Sequence, residues 1–129
     1  MAIDLHCPYI RKGRNEAIHL VGSSDEAMWL RQGTFGRMLE RTTGGPLKFK
    51  AGDSIPFGTG WNTASTYAQG RNCSRWAASI DGIDLATTIE IPYANVGDET
   101  VTPDNARAFG RSLAKAMRLY LEHLATAQD

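Results

Sequence analysis

The sequence predicts an α/β domain, a partial mixed sheet with helices packed on it. Three observations lead there. Strand-like runs alternate with helix-forming segments, the pattern of a layered α/β architecture. The last segment, from Thr102 onward, carries one apolar stripe at helical spacing. A chain of 129 residues is enough for one small domain over 1–129 with a modest core.

The elements follow in order. "AIDLH" (2–6) alternates and reads as a strand. "EAIHLVG" (16–22) is a second, shorter one. "SSDE" then opens a helix, with Ser23 as cap and Glu26 three residues on completing a capping box. Met28, Phe35, Met38 and Leu39 carry that helix to about Arg41, where "TTGGP" stops it. Residues 44–62 are rich in Gly and Pro and read as loop, with "LKFK" as an edge strand. Residues 63–79 hold one or two short helices, and Leu85 to Ile91 form a buried strand ending in a Pro-Tyr-Ala-Asn-Val-Gly loop. Thr102 caps the last helix, Pro103 takes its first position and Asp104 suits its positive end. Ala106, Phe109, Leu113, Ala116, Met117, Tyr120 and Leu124 form its stripe, which should lie on the sheet.

Fourteen basic and fourteen acidic residues leave no net charge. That balance argues against nucleic acid or an anionic membrane as the main partner. The basic run "RKGRN" (Arg11 to Asn15) is the local exception and reads as a solvated loop. No apolar run approaches the roughly 18 residues of a membrane span, and the N-terminus has no charged-then-apolar signal pattern. Cys7 and Cys73 make no disulfide framework and read as reduced thiols, which slightly favours a cytoplasmic setting. "NCS" (72–74) matches a glycosylation sequon only as a pattern.

One residue stands out. Glu90 lies in the strand "LATTIEI" beside Thr87, Thr88, Ile89 and Ile91. A carboxylate there is costly unless paired, protonated or bound to something. In open α/β sheets ligands bind beyond the carboxyl ends of strands. His6 closes the first strand and Glu90 closes the last, so the two are candidates for one site.

With "DLHCP", "TYAQGRNCSRW", "TTIEIPY" and the closing "TPDNARAFGRSLAKAMRLYLEHL" in this order, the chain resembles the zinc metallocarboxypeptidases, the carboxypeptidase A-like family. The resemblance runs from residue 2 to 125 and is to the C-terminal half of that family's catalytic domain. It implies that His6 is a zinc ligand and Glu90 the general base, in metal-assisted hydrolysis of C-terminal residues from peptides. It implies that Tyr67 closes over substrate and hydrogen-bonds its backbone, with Tyr93 the rival for that role. Ser74 then falls near the floor of the pocket reading the C-terminal side chain. Arg71 and Arg75 flank it; if either faces that pocket, acidic C-terminal residues are preferred, and otherwise they are solvated.

The family's H-x-x-E ligand pair and its Asn-Arg carboxylate clamp are absent here; His19 is followed by Leu-Val-Gly and His123 by Leu-Ala-Thr. A catalytic zinc takes three protein ligands, so this chain alone should bind metal weakly and hydrolyse nothing. Half a sheet should also self-associate through its open edge. Cys7 is a possible second metal donor, though a small buried residue is the simpler reading. The alternative function is a non-catalytic α/β module binding a peptide or sugar in the same cleft. A serine or cysteine hydrolase is a third, weaker reading: there is no G-x-S-x-G, and Cys7 alternates away from His6.

Overall fold

The computed structural model describes residues 1–10 and 15–127. Arg11 to Arg14 of the basic run lie outside the described residues. Three strands form the main sheet: β1 (Ala2–His6), β2 (His19–Val21) and β3 (Ala86–Glu90). Their order is β1-β3-β2, with β3 parallel to β1 and antiparallel to β2. The molecule is thus α/β with a mixed sheet, and three α-helices accompany it: α1 (Glu26–Thr42), α2 (Cys73–Ala77) and α3 (Pro103–Thr126).

Two edges of the sheet differ. Outside β2, isolated bridges join Ile18 to Phe49 and Val21 to Ile55. The "LKFK" segment therefore does meet this edge, though through one bridge at Phe49 rather than as a strand. Outside β1, no described strand pairs.

Residues directly opposite in a ladder share a face. Leu5, Ile89 and Leu20 lie in one row, and His6, Glu90 and His19 in the next, so the two rows face opposite ways. The first face carries the core. Leu20 and Ile89 are fully buried among Phe35 and Leu39 of α1 and Phe109, Leu113 and Tyr120 of α3. Gly36 lets α1 approach closely, because a Cβ there would stand 3.3 Å from Leu20 Cδ1. Phe35 and Tyr120 meet edge to face at 5.9 Å. α2 lies on the second face, where Ser74 Oγ accepts a hydrogen bond from Thr88 Oγ1 at 3.0 Å.

Four expectations need correction. α1 is capped by Asp25, whose carboxylate accepts from Met28 N at 2.6 Å, and Ser23 Oγ instead accepts from Asp25 N at 3.0 Å. A charged acceptor at the positive helix end outcompetes a hydroxyl two residues earlier, and Glu26, now the first helical residue, is out of place for a capping box. Ala106 of the α3 stripe is exposed, because the buried face begins only at Phe109. Cys7 is exposed, not buried, past the end of β1. The loop after β3 contains a hairpin, β4 (Asn95–Val96) with β5 (Glu99–Thr100). Its turn places Gly97 at φ 57°, a left-handed conformation that glycine adopts without penalty. As read from the sequence, Thr102 caps α3, accepting from Asn105 N at 3.2 Å.

Candidate functional site

Strand alternation sends residues i and i+2 to the same face. On β1 that pairs Asp4 with His6, and on β3 it pairs Thr88 with Glu90. The parallel register then sets Asp4 opposite Thr88 and His6 opposite Glu90. All four side chains line one cavity of about 160 Å³. Tyr67, from a 3₁₀ turn (Ala64–Tyr67), and Asn72 and Trp61, from loops, complete most of its wall.

Glu90 is 5% exposed, and its Oε2 has no hydrogen-bond partner among the described residues. Burial raises its pKa; the His6 imidazole partly offsets this and the Asp4 carboxylate adds to it. His6 sits at the mouth with its side chain 65% exposed. Its Nδ1 lies 3.9 Å from Asp4 Oδ2, too long for a hydrogen bond. Asp4 Oδ2 also lies 3.4 Å from the Thr88 hydroxyl.

Tyr67 is half-buried, and its hydroxyl donates to Asn62 Oδ1 at 3.1 Å. Asn62 is itself buried and donates to Gly22 O at 2.8 Å and Ile55 O at 3.3 Å. The Arg75 guanidinium stacks 4.0 Å from the Tyr67 ring centre. Burial raises the Tyr67 pKa; Arg75 lowers it and the Glu90 charge raises it. The phenol therefore stays protonated and able to donate.

A second cavity, of about 320 Å³, adjoins the first: Val21 and Asn72 line both. Ser74 and Arg75 line this second cavity and not the first, together with Arg71. Ser74 Oγ bridges Thr88 Oγ1 to Asn72 Oδ1, and Asn72 also caps α2 by accepting from Arg75 N at 2.9 Å.

The structure thus brings His6, Glu90 and Tyr67 to one cavity and sets Ser74 and Arg75 beside it. Tyr93, the rival tyrosine, is 63% exposed and lines none of this cavity. Sequence reasoning missed Asp4 and Thr88, although each sits two residues before a residue it singled out, on the same strand face. It also missed His19, which the register sets opposite Glu90 on β2. The ring is 1% exposed, with Nδ1 2.9 Å from Ala17 O. Trp61 reaches the cavity from a loop and left no pattern to read.

The described residues contain no group of three His, Cys, Asp or Glu side chains arranged to hold a metal. One imidazole, His6, is available at the cavity mouth, where a catalytic zinc takes three protein ligands. The site by itself fits one ligand of such a centre, not a complete one. No helix among the described residues is long and apolar enough to cross a membrane. What the arrangement can do chemically is hold a buried, basic carboxylate beside an accessible imidazole. No family model, curated protein or solved structure matches the chain.

Proposed function

We propose that this chain is the base-bearing portion of a zinc-dependent carboxypeptidase-like hydrolase that cleaves C-terminal residues from peptides. In this reading its α/β architecture corresponds to the C-terminal half of that family's catalytic domain. One observation carries it: His6 and Glu90, from different strands, are ladder neighbours on a cavity that Tyr67 also lines.

Glu90 acts as general base. Its desolvated carboxylate takes a proton from the attacking water and returns it to the leaving amine. Tyr67, a protonated phenol, exchanges Asn62 for the substrate backbone as its acceptor, with Arg75 stacked on the ring to keep its plane. Ser74 and Arg75 border the space for the substrate's side chain. His6 is the one zinc ligand this chain contributes. A zinc ion held by His6 and ligands from elsewhere would supply polarisation of the scissile carbonyl and a more acidic water. The remaining ligands and the terminal-carboxylate clamp come from outside this sequence, which holds no H-x-x-E.

The lone imidazole also favours a second reading, a non-catalytic module binding a peptide or sugar in the same cavity. One experiment separates the two. Zinc added as its bipyridine complex, in which two coordination positions are already filled, stands in for the missing ligands. The chain should bind the complex through His6, and His6→Ala should abolish binding. Hydrolysis of an activated peptide ester by the bound complex should fall about 100-fold in Glu90→Gln. With zinc salt alone, no C-terminal amino acid should be released. Equal binding by His6→Ala overturns the proposal, as does chelator-sensitive peptidase activity with zinc salt alone. Hydrolysis indifferent to Glu90, or none at all, leaves the non-catalytic module.

A further inference from the structure

We propose that the second cavity is a carboxylate subsite that selects an acidic side chain, Glu or Asp, at the substrate's C-terminus. The inference rests on the hydrolase reading for its substrate but on separate residues for its chemistry.

Arg71 and Arg75 both line this cavity. Among the described residues neither guanidinium has a carboxylate within ion-pair distance. Their polar contacts are weak and neutral: Arg71 Nη1 donates to Ser79 Oγ and Arg75 Nη2 to Ser24 Oγ, each at 3.4 Å. Arg75 is held by the faces of Tyr67 and Phe57, at 4.0 and 5.4 Å. Such stacking fixes the plane of the guanidinium while leaving N–H donors on its edge to meet a carboxylate. Asp25 is the one acidic residue on the cavity wall, and its Oδ1 is taken by Met28 N at the start of α1. The cavity therefore presents two guanidinium groups that no described carboxylate ion-pairs, with Asp25 turned to the start of α1.

The remaining wall narrows the ligand. Met28 and Ala86 supply apolar surface, and about 320 Å³ is more space than a bare carboxylate needs. A carboxylate carried on methylene groups satisfies both halves of the cavity. Position matters as well: because Val21 and Asn72 line both cavities, a group seated here is adjacent to a substrate bound in the cavity of Glu90. A carboxylate could reach the arginines from a side chain or from the main-chain terminus; the methylene-sized apolar wall favours the side chain.

The test is an NMR titration of the chain, read on the arginine Nε–H resonances, and needs neither zinc nor turnover. The probes are N-acetyl-glutamate, its α-amide, which keeps only the side-chain carboxylate, and N-acetyl-glutamine, which keeps only the terminal one. The first two should bind alike, shift the Arg71 and Arg75 signals and weaken as salt is raised. N-acetyl-glutamine should bind roughly tenfold more weakly, as should N-acetyl-glutamate to Arg71→Gln. Arg37→Gln serves as an unaffected control, and Arg75→Lys retains the charge while removing the stack, should Arg75→Gln fail to fold. Equal binding of N-acetyl-glutamine and the α-amide overturns the proposal, as does unchanged binding to Arg71→Gln or absence of any binding. Failure of the zinc–bipyridine experiment with success here would remove the hydrolase and keep the anion site; the converse would remove only the subsite.

Discussion

Glu90 shows what a single residue reveals about a site. From sequence it was a charge among β-branched neighbours, and a charge in that place calls for an explanation. The structure buries it, leaves Oε2 without a described partner and raises its pKa. The stability consequence has a definite sign. An unfolded Glu titrates near pH ~4.3, whereas folded Glu90 holds its proton to higher pH. Between those two values the native state binds more protons, so stability falls as pH rises through the folded pKa and levels off above it. Glu90→Gln should therefore be more stable than wild type at pH 7, on the order of 1 kcal/mol, and gain little at pH 4. Urea melts at both pH values check this, and an equal difference at the two contradicts it. The identity of His6 and Glu90 as strand-end residues was legible because alternation and strand ends are local signals. Tyr67's anchoring to Asn62 was not, since it depends on how a loop folds back onto Gly22 and Ile55.

Elements with strong local chemistry were read closely. β1 matches its predicted span, and α3 begins where Thr102, Pro103 and Asp104 indicated. α1 has the right extent but a different cap, because Ser23 and Asp25 both offered acceptors and the carboxylate took the helix end. Asp25→Ala should destabilise the protein by about 1 kcal/mol, and Ser23→Ala by clearly less. Chemical denaturation of both variants decides the assignment; a larger loss at Ser23 reverses it. The β4–β5 hairpin escaped notice because each strand has two residues, too few for a period to show. The Gly-Asp pair at 97–98 was the available turn signal.

The molecule as a whole depends on pairings that no local pattern encodes. β1 and β3 are far apart in the chain, yet their parallel register is what sets His6 against Glu90. β1, at the end of the strand order, has no described strand along its outer edge, and Leu5 is 57% exposed. Such an edge templates pairing with another strand, so sedimentation should show self-association rising with concentration, reduced by Leu5→Lys. A monomer at every concentration contradicts that expectation. The central claim, that the sheet joins His6 and Glu90 into one metal-adjacent hydrolytic pair, is tested most directly by the Glu90 carboxyl signal in carbon NMR as the zinc–bipyridine complex is added. A cation held by His6 beside Glu90 should lower the Glu90 pKa toward the ordinary carboxylate range, and His6→Ala should erase that response. A Glu90 signal indifferent to the complex, or one that responds equally in His6→Ala, would contradict the account.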